Sequence, residues 1–277
     1  MSKTKLRPVL RYFGGKFLLA PWIIGHMPKH RIYVEPFGGA ASVLMQKPKS
    51  YAEVYNDLDD GVYSLFSVIR SPEQSAQLYA QLRETPFSRR EFEMAAYYHP
   101  DPVEKARRLI VRSYMGFGAD SGIDRTKASG FRANSNRSGT TPAHDWANYA
   151  GYVPIFSERL RGVVIENRDA KEVMLAHDGE ETLHYLDPPY PAATRTKARA
   201  KNYNFELSDE EHEDLLAFAL KLRGMVMISS YESELYDRML TGWKKEIKDT
   251  HADGANKRKE VLWIKPAPTN PTADVKE

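Results

Sequence analysis

The chain has 277 residues, 42% of them hydrophobic and 28% charged, with a formal net charge of +3 and no cysteine, the make-up of an ordinary globular protein. Lack of cysteine excludes disulfides, thiolate metal sites and cysteine nucleophiles, and with them cytosine-C5 methylation through a thiolate adduct and deamination at a cysteine-ligated zinc. No apolar run approaches the ~18–20 residues of a membrane span, and the basic opening MSKTKLRPVLRYFGGK lacks the apolar core of a secretory signal, so a cytoplasmic location without membrane contact is expected.

The first distinctive segment is Tyr12-Phe13-Gly14-Gly15-Lys16, an aromatic residue and a lysine around a tight Gly-Gly turn. A β-branched and aromatic run, IYVE (32–35), then leads directly into Glu35-Pro36-Phe37-Gly38-Gly39-Ala40-Ala41-Ser42. Small residues at a strand-to-helix turn let a ligand approach the backbone. With two adjacent glycines and no third, the segment is a poor pyrophosphate fingerprint, and it suits S-adenosylmethionine, which has no phosphate. The next strand, YAEVYN (51–56), ends at Asp57, about 20 residues beyond Glu35, where a Rossmann-like unit places an acid on ribose hydroxyls.

Residues 71–161 break the strand–helix alternation, because a crossover needs far fewer residues. Helix starts appear at Ser71 with Gln74 and at Ser88 with Glu91, and PVEKARRLIVRSYM (102–115) is helical in pattern. A Gly-, Ser- and Asn-rich basic stretch follows. The segment reads as an inserted, mainly helical subdomain carrying a flexible basic loop. Arg125, Lys127, Arg132, Asn134, Asn136 and Arg137 are suited to base edges and phosphates.

Beyond the insertion come strands GVVIEN (162–167), TLHYLD (182–187) and MVMISS (225–230). A basic loop holding Arg195, Lys197, Arg199 and Lys201, suited to phosphates, precedes a helix that opens on a Ser208/Glu211 capping box. The last strands, WKKEIK (243–248) and EVLWIK (260–265), have no room for a helix between them and are expected to be antiparallel. A polar tail at 266–277 is expected to be disordered. Strands alternating with helices argue for an α/β fold with a largely parallel sheet.

The strongest chemical signal is Asp187-Pro188-Pro189-Tyr190 at the end of TLHYL. An exocyclic amine on a base is a poor nucleophile because its lone pair is delocalised into the ring. Two acceptors on its hydrogens favour the pyramidal form and free that pair. Asp187 supplies a carboxylate, and the carbonyl of Pro188, held extended by the following proline, supplies the second acceptor. Tyr190 offers a flat face for a flipped base.

In this order, YFGGK, VEPFGGAAS, ND, a long insertion and DPPY, together with NFELSDEEHEDL, VMISSYES and KRKEVLWI, resemble the Dam-type, D12-class DNA adenine methyltransferases. The resemblance covers the frame of residues 10–70 and 162–265. It implies a Rossmann-like seven-stranded methyltransferase sheet ending in an antiparallel hairpin. The catalytic domain is then discontinuous (1–70 and 162–265), with target recognition inserted at 71–161. It also implies S-adenosylmethionine as methyl donor with no metal, double-stranded DNA as partner, a monomer, and a place at the nucleoid of a bacterial or phage-infected cell. Tyr12, Lys16 and Asp57 would contact the cofactor and Glu35, Phe37 and Gly38 would line its pocket. Asp187 would serve both cofactor and catalysis, the latter with Pro188, Pro189 and Tyr190. Asp169 either flanks the cofactor adenine or caps the next helix. Segment 116–142 lacks the recognition sequence that GATC-methylating members share, which leaves the target site open. Cytosine-N4 methylation, and a DNA-binding module that has lost catalysis, are the alternatives.

Overall fold

The computed structural model describes residues 6–12, 14–117, 130–133, 140–191, 206–251 and 257–266. Among them the chain runs α1 (Ala20–Gly25), β1 (Ile32–Glu35), α2 (Ser42–Gln46), β2 (Ala52–Asn56), α3 (Asp60–Arg70), α4 (Pro72–Glu84), α5 (Arg89–Met94), α6 (Pro102–Met115) and α7 (Pro142–Tyr149). It continues through a 3-10 turn at Ala150–Tyr152 to α8 (Val153–Leu160), β3 (Val163–Glu166), α9 (Ala170–Ala176), β4 (Thr182–Leu186), α10 (Asp209–Lys221), β5 (Met225–Tyr231), α11 (Glu234–Met239), β6 (Lys244–His251) and β7 (Lys257–Ile264).

The seven strands form one sheet in the order β3-β2-β1-β4-β5-β7-β6. Strands β3 to β5 are mutually parallel, and β7 runs antiparallel to both β5 and β6. This is the expected Rossmann-like sheet, closed by the expected terminal hairpin. Central β4, TLHYL, is buried along its whole length, as a parallel strand covered on both faces must be. The order reverses between β1 and β4. At that switch point the carboxyl ends of neighbouring strands diverge and leave a crevice for ligands.

The sequence-read helix starts are present as hydrogen bonds. Ser71 accepts the Gln74 N–H and Ser88 the Glu91 N–H, while Ser208 and Glu211 form the reciprocal capping box. Segment 71–161 is helical through most of its described residues. One hydrophobic cluster joins Tyr33, Tyr55 and Leu183 of the sheet to Leu78, Ile110, Trp146 and Phe156 of these helices. Helix α3 lies between, packed on α4, α6 and α8.

The same helices grip the chain's N-terminal arm. Tyr149 donates its hydroxyl to the Val9 carbonyl at 2.6 Å and Tyr114 donates to Pro8. The Arg11 N–H donates to Ser113 Oγ at 2.7 Å, and Arg7 pairs with Asp145 at 3.0 Å. Farther along the arm, Tyr12, Gly14, Gly15 and Lys16 reach the switch point. Where α6 ends, Gly116 bridges Phe131 in antiparallel fashion, and the Arg132 N–H donates to the Met115 carbonyl at 2.8 Å. Arg132 thus stands at the base of the basic stretch. Arg125, Lys127, Asn134, Asn136, Arg137, Arg195, Lys197, Arg199 and Lys201, and the tail from 267 onward, lie outside the described residues. Among the described residues no helix is long and apolar enough to cross a membrane.

Candidate active site

A cavity of about 230 Å³ opens at the switch point. Its wall brings together Tyr12, Lys16, Glu35, Phe37, Gly38, Asp57, Asp169, Asp187 and Pro189, residues drawn from five separate stretches of sequence.

The loop after β1 is held by close packing and by its own hydrogen bonds. A Cβ on Gly38 would come within 2.0 Å of the Tyr55 ring, so glycine is required there by packing. That side of Gly38 faces protein. Gly39 and Ala41 both have positive φ, +48° and +51°, a region costly for a residue with a side chain such as Ala41. The turn is tied down by the Ala41 N–H on the Gly38 carbonyl, the Tyr55 hydroxyl on the Gly39 carbonyl and the Gly39 N–H on Asp57 Oδ2.

Asp57 uses its other oxygen to accept the Asp59 N–H at 2.8 Å, just ahead of α3. Enclosure pushes its pKa up to about 6, against the pull of these two amides. Each oxygen keeps a lone pair free of these amides for a ligand hydroxyl. Asp169 caps α9, its side chain accepting the Lys171 N–H at 2.8 Å, and it also lines the cavity.

Glu35 is fully buried behind the loop. Its Oε2 accepts the Tyr33 hydroxyl at 2.7 Å and the Leu44 N–H at 3.1 Å. Burial raises its pKa to about 8, and the neighbouring Asp187 charge pushes the same way. It therefore carries its proton at neutral pH.

Asp187 ends β4. Its Oδ1 is buried and lies 2.9 Å from the Lys16 ammonium, and the Tyr190 hydroxyl also bears on the carboxylate. The 18% of its side chain that stays exposed opens on the cavity. Burial raises its pKa, and Lys16 opposes that rise. Lys16 is itself 5% exposed. Its Nζ donates to the Gly14 carbonyl at 2.7 Å, sits 4.6 Å from the Tyr190 ring centroid and lies 3.6 Å from Glu260 Oε1. Tyr190 is 6% exposed, edge-on to Tyr231, and it donates its hydroxyl to Glu260. Its ring is therefore not an open platform, since a cation already occupies one side.

Glu260 is the residue that reading the sequence passed over. It stands on interior strand β7 and is 3% exposed. The signal was an acid opening the apolar run Val261-Leu262-Trp263, all three of which are buried.

A Rossmann-like sheet with an acid-lined cavity at its switch point and Asp-Pro-Pro-Tyr at the adjoining strand end defines an amino-group methyltransferase. The model of the D12 class N6 adenine-specific DNA methyltransferases matches residues 12–251, and the chain belongs to that family. It is 25% identical to the DNA adenine methylase of Escherichia coli (strain K12), over 96% of this chain and 98% of that protein. A DNA adenine methylase of Salmonella typhi is likewise 25% identical over 83% of each chain. One from Serratia marcescens is 23% identical over 83% of this chain and 86% of its own.

Proposed function

We propose that the cavity takes S-adenosylmethionine as methyl donor, and that Asp187 and the Pro188 carbonyl receive the N6 amino group of an adenine flipped out of duplex DNA. The observation that carries this reading is the placement of Asp187. One oxygen is held by Lys16 while the rest of the carboxylate opens on a cavity large enough for a ligand.

The wall chemistry fits this donor. Carboxylates outnumber cations among the lining residues, which favours a sulfonium. Ser42 Oγ lines the cavity and is buried without a partner, leaving a polar atom for a ligand to satisfy. Asp57 would hold the ribose hydroxyls, with Phe37, Leu58 and Ala170 against the adenine and Asp169 at its edge. Tyr12 and Lys16 would close the opposite side. When bound, the donor supplies an electrophilic methyl group.

The protein's own part is to prepare the nucleophile. The Asp187 carboxylate and the Pro188 carbonyl accept the two N6 hydrogens and so localise the nitrogen lone pair. As positive charge grows on that nitrogen the carboxylate binds it more strongly, so the interaction favours the transition state over the ground state. Tyr190 would stack on the flipped base where its ring now meets Lys16. Residues 116–142 and the basic loop at 195–201 would meet the DNA.

Asp187→Ala is expected to lose several orders of magnitude in turnover while still folding and binding DNA. Mass spectrometry of nucleosides from methylated DNA reads the product directly. N4-methylcytosine as product, or near-parent activity of Asp187→Ala, would overturn the assignment. For the cofactor side, Asp57→Asn should weaken S-adenosylmethionine binding by about 1.5–3 kcal/mol, and unchanged affinity by calorimetry would remove Asp57 from the site.

A further inference from the structure

We propose that Glu260, on β7, is a positioning residue for methyl transfer: its buried carboxylate fixes the Tyr190 hydroxyl and shares the Lys16 ammonium, leaving Asp187 basic enough to receive the amine. The inference rests on the assignment of Asp187 as the group that holds the amine.

The geometry sets up a competition. Lys16 Nζ lies 2.9 Å from Asp187 Oδ1 and 3.6 Å from Glu260 Oε1, so one buried cation serves two buried carboxylates. An aspartate bound to a lysine at full strength is a weak acceptor, because the ammonium already satisfies its charge. A second carboxylate on the same ammonium dilutes that hold. It also offers the ammonium a place to go when a base arrives over Tyr190. Glu260 is itself kept in place by the Tyr190 hydroxyl, so the residue expected to stack on the base and the residue that pairs with Lys16 are joined by one hydrogen bond.

Other ionisable groups around the pair do not substitute for it. Glu35 bears on Asp187 from β1 but carries its own proton at neutral pH. Tyr185 from β4 and Tyr236 from α11 feel the Asp187 charge, and burial pushes both above the ordinary phenol range, so they remain neutral. Glu260 feels Asp187 as a like charge. By reciprocity, removing the Glu260 charge makes Asp187 easier to ionise.

Glu260→Gln keeps the shape and an acceptor for the Tyr190 hydroxyl but drops the charge. Lys16 then pairs with Asp187 alone. Turnover should fall by on the order of tenfold to a hundredfold, the scale of a misplaced reacting group, with the KM for S-adenosylmethionine little changed. The acidic limb of the kcat–pH profile should move to lower pH. Glu260→Asp keeps the charge and should return the limb to its parent position. Glu260→Asn, equally uncharged and shorter, should move the limb in the same direction as Glu260→Gln, which preserves the test should Glu260→Gln fail to fold. A purely structural role would change the unfolding midpoint without moving the limb. Parent turnover and an unmoved limb in Glu260→Gln, with Asp187→Ala inactive, would overturn the inference. An active Asp187→Ala would instead overturn the assignment beneath it.

Discussion

Lys16 Nζ and Asp187 Oδ1 lie 2.9 Å apart, joining the N-terminal arm to the end of the central strand. Both groups are withdrawn from water, so the ion pair is worth most when whole and costs most when halved. Lys16→Met strands two carboxylates, Asp187 and Glu260, in a buried site. A loss of about 3–5 kcal/mol in unfolding free energy at neutral pH is expected. It should shrink as the pH falls and the acids take up protons. Urea titrations at two pH values check both points, and equal losses at each would show that the pair contributes little.

Gly38→Ala tests the loop that forms the cavity wall. The added carbon would sit 2.0 Å from the Tyr55 ring. The ring cannot easily retreat, because it packs on Phe66 at 4.5 Å between centroids and its hydroxyl donates to the Gly39 carbonyl. The loop must move instead, carrying Gly39 away from Asp57. Both stability and S-adenosylmethionine affinity should drop. Parent affinity by calorimetry would mean that the loop position does not govern the site.

Tyr149→Phe removes the donor to the buried Val9 carbonyl and should cost about 1–3 kcal/mol in chemical denaturation. The arm it releases continues into Tyr12 and Lys16, so turnover should fall as well, although Tyr149 does not line the cavity. A variant that loses stability but keeps parent turnover in the folded state would separate the arm's anchor from its tip.

These cases also mark where sequence reasoning succeeds and stops. Strands such as IYVE and TLHYL are readable because a parallel strand covered on both faces is rich in β-branched, aromatic and aliphatic residues, even with Glu35, Thr182 and His184 buried among them. The final hairpin is readable because too few residues separate its members for a crossover. Asp187 is readable because its chemistry needs those four residue types in a row. Other relationships depend on pairs far apart in the chain. The steric demand on Gly38 comes from Tyr55, Asp57 serves the Gly39 N–H, and Glu260 meets Lys16 and Tyr190 across the sheet. Spacing along the chain does not encode those meetings, so Tyr190 reads as an open face when it is enclosed, and Glu260 reads as one more strand residue.

Charge on the DNA side gives a prediction of a different kind. Replacing Arg195, Lys197, Arg199 and Lys201 by glutamine should weaken binding to all sequences alike. The slope of log K against log salt should flatten by roughly 0.9 per lost phosphate contact. Replacing residues 116–142 by a Gly-Ser linker should instead change which sequence is methylated. An unchanged methylated site would place recognition elsewhere in the chain.

Glu35 makes the stability of the protein depend on pH in a direction that can be worked out. Its pKa rises from an ordinary 4.5 to about 8 on folding, chiefly through burial. The folded state therefore holds the proton more tightly than the unfolded chain does. Where both forms are protonated, below about pH 4.5, its contribution is fully present. As pH rises the unfolded chain gives up its proton first, so stability declines until the folded carboxyl also ionises near pH 8. The loss at high pH is on the order of a few kcal/mol. Glu35→Gln keeps a carbonyl oxygen for the Tyr33 hydroxyl and the Leu44 N–H but has no proton to lose. The variant should match the parent at the acid end and grow relatively more stable as pH rises toward 9. Urea unfolding of both proteins across that range measures the difference directly. A difference that stays flat would mean that Glu35 is ionised in the folded protein, and that its charge is balanced by a cation such as Lys47, which pulls its pKa down.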